Sequence, residues 1–118
     1  MPLATQTMAI LESLHPITGR GQYVFPGARN PRSHMSNNAV LTALRRMEIQ
    51  KDELCGHGFR AMARTILDEE LGFRPDIIEH QLTHTVRDPL GRAYNRTSHL
   101  EERKRMMQDW ADYLTKLR

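Results

Sequence analysis

The apolar residues of this chain recur three or four positions apart, in short segments separated by proline and glycine. That spacing places apolar side chains on one face of an α-helix. The stretch QYVFPG allows at most a short extended segment near 22–25, before its proline. The pattern therefore predicts a mainly α fold with about six helices, over about residues 5–14, 36–47, 57–71, 75–82, 89–94 and 98–117.

Residues typical of helix ends support this division. The stretch HPITGRG, which contains Pro16, is expected to end the first helix. Ser36 is expected to cap the second helix, and Pro75 and Pro89 are placed where the first turns of the fourth and fifth helices would be. The sequence SHLE, which begins at Ser98, has the form of a capping box and is expected to open the last helix.

The same periodicity predicts which side chains are buried. In the third and last helices the apolar positions lie three, four or seven apart, as expected for a face that packs against a core. The expected core residues are Phe59, Met62, Ala63, Ile66 and Leu67 in the third helix and Leu100, Met107, Trp110, Leu114 and Leu117 in the last.

Length and charge indicate a single domain or a fragment of one. The 118 residues include 17 basic and 14 acidic side chains, with basic residues in excess at both ends and acidic residues in excess in the middle. Basic faces of this kind suit a phosphate backbone, but ordinary solvated helix faces give the same pattern. One cysteine, Cys55, excludes an internal disulfide, fits a reducing compartment and is expected to be buried. No secretion signal or membrane-spanning run is present, so a cytoplasmic location is expected.

The stretch CGHGFRAMARTIL is the strongest candidate for chemistry. At about 100° per residue, His57, Arg60 and Arg64 fall within one sector of the third helix. A helix start also favours an anion, because its first N–H groups lack partners within the helix. A solvated surface behind a glycine-rich turn would produce the same spacing, so these three residues alone do not decide between the two interpretations.

Two later stretches add to this pattern, namely LTH, which ends in His84, and AYNR, which contains Tyr94. The order His57-x-x-Arg60, His84, Tyr94 resembles the C-terminal catalytic region of tyrosine recombinases, the phage-type integrases. The words HGFR, IIEHQLTH and RAYNR, and the ending RMMQDWADYL, are similar to integrases of prophages, satellite phages and genomic islands. The resemblance covers nearly the whole chain.

The resemblance implies a set of catalytic roles. Tyr94 would attack the scissile phosphate of DNA to form a 3′-phosphotyrosyl link. Arg60 would bind the phosphate, His57 would transfer protons near the nucleophile, and His84 would hydrogen-bond a phosphate oxygen. Cations of this kind suit the chemistry, because a tyrosine hydroxyl with a pKa of about 10 is a poor nucleophile at neutral pH. No cofactor and no metal is expected, since His80 and His84 have no acidic partner at metal-site spacing.

Weaker candidates for DNA contact are other basic residues near these motifs. The resemblance further implies DNA attachment sites as partners, a homotetramer on DNA in the full-length protein, and accessory DNA-bending or directionality proteins. The candidate DNA-binding residues are Arg29, Arg32, Arg64, Arg92 and Arg96.

Residues 1–118 are accordingly interpreted as a truncated catalytic domain of a tyrosine recombinase. The family also uses an earlier arginine and a lysine in a β-hairpin, which are expected to lie upstream of MPLATQ. We therefore expect these residues alone to recombine no DNA. The alternative is a non-catalytic helical module for DNA binding or protein assembly; a type IB topoisomerase fits the motifs less well.

Overall fold

The computed structural model describes residues 2–82 and 99–117, and these residues are mainly helical. Within them no strand is present, and one isolated antiparallel bridge joins Pro26 and His34. The mainly α prediction is confirmed, while the predicted helix near residues 89–94 lies outside the described residues. The described ranges contain five α-helices, α1 (Thr5–Thr18), α2 (Ala39–Arg46), α3 (Gly56–Thr65), α4 (Pro75–Gln81) and α5 (Leu100–Lys116), and a π-helical turn (Ile66–Glu70) follows α3.

The first helix is longer than the sequence predicts. Helix α1 continues through Pro16 to Thr18, so it ends within HPITGRG as predicted, but at the first glycine of that stretch and not before its proline. A proline inside a helix lacks one N–H donor, but the following turn can still bond to the preceding one. Here the Gly19 N–H donates to the carbonyl of His15 at 2.8 Å and closes the helix.

The predicted starts of α2 and α5 have different outcomes, since the Ser36 cap is wrong and α5 begins within SHLE as predicted. Helix α2 begins three residues after Ser36, whose hydroxyl accepts the N–H of Asn38 at 3.2 Å and so stabilises the preceding turn. At the start of α5, Glu101 forms an ion pair with Lys104 at 2.8 Å. The Glu102 carboxylate lies 2.7 Å from His99 Nδ1. Ser98 lies outside the described residues, so its capping box with Glu101 stays a prediction.

The chain divides into two compact units. One, the carboxyl-terminal unit, comprises Met1–Thr5 and Arg60–Arg118; the other, the amino-terminal unit, is Gln6–Phe59. In the carboxyl-terminal unit, the Gln108 side chain accepts the N–H of Thr5 at 3.0 Å and ties the first residues to α5. No helix in the described ranges is long and apolar enough to cross a membrane.

The hydrophobic core of the carboxyl-terminal unit lies between the π-helical turn, α4 and α5. Its buried members are Leu67, Ile77, Ile78 and Met106, and Trp110 is among the partly buried side chains packed against them. Burial of Leu67 confirms part of the predicted core. The π-helical turn adds a residue to one turn and so shifts the buried face relative to a regular helix.

Several predicted core positions are exposed instead. Phe59 and Met62 are each 44% exposed, and Leu117 is 68% exposed. In α5 the fully buried methionine is Met106 and not Met107, which is only partly buried. Adjacent methionines are about 100° apart on a helix, so their period alone does not distinguish them. The remaining predicted members divide in the same way, with Ala63, Ile66 and Trp110 partly buried and Leu100 and Leu114 exposed.

Gly72 lies two residues after the π-helical turn, and its backbone conformation favours glycine. Its φ is +67°, and an added Cβ would meet no atom within 4 Å, so any penalty for a side chain is conformational. We expect Gly72→Ala to lower the free energy of unfolding by about 1–2 kcal/mol, the cost of a left-handed conformation for an L-residue. Urea unfolding of the 118-residue chain measures this change.

Gly56→Ala is the matched control for that substitution. Gly56 is the first residue of α3, and its added Cβ would lie at an ordinary 4.0 Å from Leu41 Cδ2. Alanine at a compatible helical position is expected to leave stability unchanged or raise it by about 0.4–1 kcal/mol. Equal effects of the two substitutions would contradict the role given to Gly72.

Candidate functional site

Helix α3 carries three of the predicted polar residues. It begins at Gly56, so His57 lies in the first turn, as the sequence predicts. His57 and Arg64 are exposed, whereas Arg60 is partly buried. The three positions are three and four residues apart, which places them in one sector of the helix, with His57 nearest its N-terminus.

The loop before α3 is held by an arginine that the sequence analysis did not identify. The Arg45 guanidinium donates to the carbonyl of Leu54 at 3.1 and 3.2 Å, and it also bonds to the carbonyl of Ile49. An arginine in the last turn of a helix commonly bonds to nearby carbonyls, so the position of Arg45 near the end of α2 is the sequence feature that indicates this role. These bonds fix the turn that leads into α3.

The start of α3 is closely packed at Gly58, whereas Cys55, which directly precedes the helix, is exposed. A Cβ added at Gly58 would lie 3.0 Å from Leu54 Cδ1, so glycine allows the helix to pack on that leucine. Cys55 is exposed, and the prediction that it is buried is wrong. It belongs to the turn before the helix, where its carbonyl accepts the Gly58 N–H at 2.9 Å.

Arg60 is anchored within the carboxyl-terminal unit. Its Nη2 donates to the carbonyl oxygen of Leu82, the residue that follows the last turn of α4. A guanidinium has five N–H donors in a planar fork, so a bond to one acceptor leaves other donors able to bind an oxyanion. In the sequence, Leu82 lies two residues before His84.

Arg64 has a protein partner on α4. Its Nε lies 2.7 Å from Glu79 Oε1, and the hydrogen bond and charge of Glu79 raise the pKa of Arg64. The arginine therefore stays protonated, and the glutamate offsets its charge locally. A contact between Arg64 and DNA stays a prediction, and it would have to compete with this ion pair.

Arg29 and Arg32 lie in a small closed loop of the amino-terminal unit. The Gly27 N–H donates to the carbonyl of Ser33 at 2.8 Å, and the Arg32 N–H donates to the Asn30 side chain at 3.0 Å. Both arginine side chains are exposed. The loop ends well before α2 begins at residue 39, so these arginines are not at a helix N-terminus. Their predicted DNA contacts would come from the loop itself.

Four predicted site residues, His84, Arg92, Tyr94 and Arg96, lie outside the described residues. Their approach to His57 and Arg60 stays a prediction. His80 is partly buried on α4, with its ring centroid 6.0 Å from that of His99. Within residues 2–82 and 99–117, no three His, Cys, Asp or Glu side chains are grouped so as to hold a metal ion.

Comparison with known proteins finds relatives over nearly the whole chain. It is 47% identical to the integrase of Enterobacteria phage P4, over 97% of this chain and 26% of that protein. It is 42% identical to prophage integrase IntA of Escherichia coli strain K12, over 95% of this chain and 27% of that protein. Prophage integrase IntZ of the same strain is 38% identical, over 95% of this chain and 27% of its own length.

The chain thus spans about a quarter of the length of each of these relatives. No protein-family model matches the chain, and no solved structure matches it significantly.

Proposed function

The chain belongs to the integrase family of phages and prophages, and we propose from that premise that it serves site-specific DNA recombination. The reaction is integration or excision of a prophage or genomic island at DNA attachment sites. The main support is the anchored Arg60, which shares α3 with His57 in a chain 47% identical to a phage integrase. The full-length protein acts as a homotetramer on DNA with accessory DNA-bending or directionality proteins.

The proposed chemistry is a transesterification at phosphorus. The Tyr94 hydroxyl attacks the scissile phosphate, the bond to the 5′ oxygen breaks, and a 3′-phosphotyrosyl ester forms. The phenol loses one proton, and the departing 5′ oxygen gains one to become a hydroxyl, so the step is balanced. His57 serves in this proton transfer. Reversal by a different 5′-hydroxyl rejoins the strands, because the ester conserves the energy of the broken bond.

Arg60 and His84 stabilise the charge that develops on the phosphate. The non-bridging oxygens become more negative as the phosphorus gains a fifth oxygen, and a guanidinium can donate to two of them at once. With the Leu82 carbonyl holding one Nη of Arg60, the fork is oriented before DNA binds. Less reorganisation is then needed in the transition state.

These 118 residues alone are proposed to cleave no DNA. The resemblance assigns an additional arginine and a hairpin lysine to the sequence before them. Loss of one transition-state arginine slows other phosphoryl transfers on the order of 10³–10⁵-fold. Activity is therefore best tested in a hybrid in which these residues replace the matching segment of the phage P4 integrase.

The test is a suicide substrate, a nicked attachment-site DNA that traps the covalent protein–DNA adduct. The hybrid is expected to form an adduct that resists denaturation, and Tyr94→Phe is expected to form none, because phenylalanine has no hydroxyl. Tyr23→Phe is the matched control, since Tyr23 packs edge-on against His34 in the amino-terminal unit. An adduct that persists in Tyr94→Phe would refute the nucleophile, and DNA binding without any adduct would favour the non-catalytic module.

A further inference from the structure

A buried polar pair joins α4 and α5 beside the hydrophobic core. The Nε of Arg103 donates to Oε1 of Gln81 at 2.9 Å. Gln81 is 6% exposed and Arg103 is 8% exposed, whereas the neighbouring core residues Ile78 and Met106 are fully buried. Gln81 is the last residue of α4 and Arg103 lies in the first turn of α5, so the bond connects the end of α4 to the start of α5.

Stability alone does not account for a pair of this kind. Burial of a guanidinium and an amide costs free energy, and a hydrogen bond between them only offsets that cost. Apolar side chains of similar volume often pack as well or better at such positions. Arg103 also lies three residues after Leu100 and three before Met106, where the helical period would favour an apolar side chain. What the pair adds is a directional bond that fixes the end of α4.

The end of α4 is also where Arg60 is anchored. Leu82 directly follows Gln81, its N–H donates to the carbonyl of Ile78 at 2.9 Å, and its carbonyl accepts the Arg60 guanidinium. The direction of that carbonyl depends on how α4 ends. Two arginines, Arg60 on α3 and Arg103 on α5, therefore bond to consecutive residues at one helix terminus.

We propose that Arg103 is a positioning residue for Arg60, acting through Gln81 and the carbonyl of Leu82. The expected effect on cleavage rests on the proposed function. The effect of Arg103 on the position of Arg60 does not, because it is a property of the folded chain. A misplacement of about 1 Å in a catalytic group can cost on the order of 10²-fold in rate. Loss of the Arg103–Gln81 bond allows a displacement of this kind at the end of α4.

The catalytic arm of the test measures single-turnover cleavage of the suicide substrate by the phage P4 hybrid at saturating DNA. Arg103→Met is expected to lower the cleavage rate constant on the order of 10²-fold, with the DNA Kd unchanged. Gln81→Leu is expected to have a similar effect, and the double variant is expected to be no slower than the slower single variant, because both remove the same bond. Arg103→Lys, which keeps a cationic donor, is expected to recover part of the rate.

Arg105→Met is the matched control on the same helix. The Arg105 side chain is 79% exposed and its ion pair with Asp109 is long, at 3.5 Å, so its loss is expected to leave the rate constant unchanged. Circular dichroism confirms that each variant is folded at the assay temperature. If Arg103→Met does not fold, Gln81→Leu decides the test.

The structural arm uses the 118-residue chain without DNA and follows the Arg60 guanidinium signals by ¹⁵N NMR. Arg103→Met and Gln81→Leu are expected to shift the Arg60 Nε–H resonance and speed its exchange with water, whereas Arg105→Met leaves both unchanged. An unchanged Arg60 signal in both folded variants overturns the positioning role. Equal losses of DNA affinity and cleavage rate also overturn it, because they indicate a general structural role. Absence of any adduct in the unsubstituted hybrid instead refutes the proposed function, and the NMR result still decides the positioning.

Discussion

Replacing Arg60 with methionine is expected to slow DNA cleavage on the order of 10³–10⁵-fold, the range seen when other phosphoryl transfers lose a transition-state arginine. This corresponds to about 4–7 kcal/mol of barrier. The effect is large because Arg60 combines two properties, a permanent charge and a fork already held by the Leu82 carbonyl. Methionine keeps the length of the aliphatic stem but loses the charge and every donor.

Lysine at position 60 separates charge from geometry. It keeps a cation but cannot bond to the Leu82 carbonyl and a phosphate in the planar arrangement of a guanidinium. Arg60→Lys is therefore expected to cleave faster than Arg60→Met and more slowly than arginine, in single-turnover assays with the phage P4 hybrid. Arg46→Met, at an exposed position of α2, is the control and is expected to retain the full rate. A rate for Arg60→Met within tenfold of the unsubstituted hybrid would contradict the role of Arg60.

Ile78→Ala is expected to have the largest effect on stability, a loss of about 2–5 kcal/mol in the free energy of unfolding. Ile78 is 0% exposed and packs with Leu67, Ile77 and Met106 in the core of the carboxyl-terminal unit. Removal of three carbons there loses both apolar burial and packing contacts, and the surrounding helices can collapse only partly into the space. Urea unfolding of the 118-residue chain gives the change from the shift in midpoint.

Ile17→Ala is the matched control for that measurement. Ile17 lies in the last turn of α1 and is 77% exposed. Its truncation is expected to change stability by no more than about 0.5 kcal/mol, as is usual for surface positions. Similar losses for the two isoleucines would show that Ile78 is not in the core described above.

The sequence predicts the helices better than it predicts the core. Apolar spacing and Pro75 are local signals, and both are confirmed in α4. Pro16 does not end α1, because a proline removes one bond without forbidding the next turn. In the third predicted helix, Leu67 of the π-helical turn is buried as predicted, whereas Phe59 and Met62 of α3 are exposed, because an apolar spacing shows which side chains share a face but not how far that face is covered. The choice of Met106 over Met107 depends on tertiary packing.

The candidate site shows the same division between local and tertiary information. The grouping of His57 and Arg60 on one helix follows from a spacing of three residues. The partners that orient such side chains cannot be predicted from spacing, since Leu82 lies 22 residues from Arg60 and Gln81 lies 22 residues from Arg103. No periodicity specifies contacts at that separation. A polar residue at a core-facing position of α5 was the one visible sign of the Arg103–Gln81 pair.

The most direct test of the central claim is to identify the amino acid that becomes joined to DNA. The chain has three tyrosines, Tyr23, Tyr94 and Tyr113. The adduct formed by the phage P4 hybrid is digested with nuclease and protease, and the peptide that retains a nucleotide is sequenced by mass spectrometry. We expect a 3′-nucleotide ester on Tyr94. A nucleotide on any other residue of the hybrid would contradict the assignment of Tyr94 as the nucleophile.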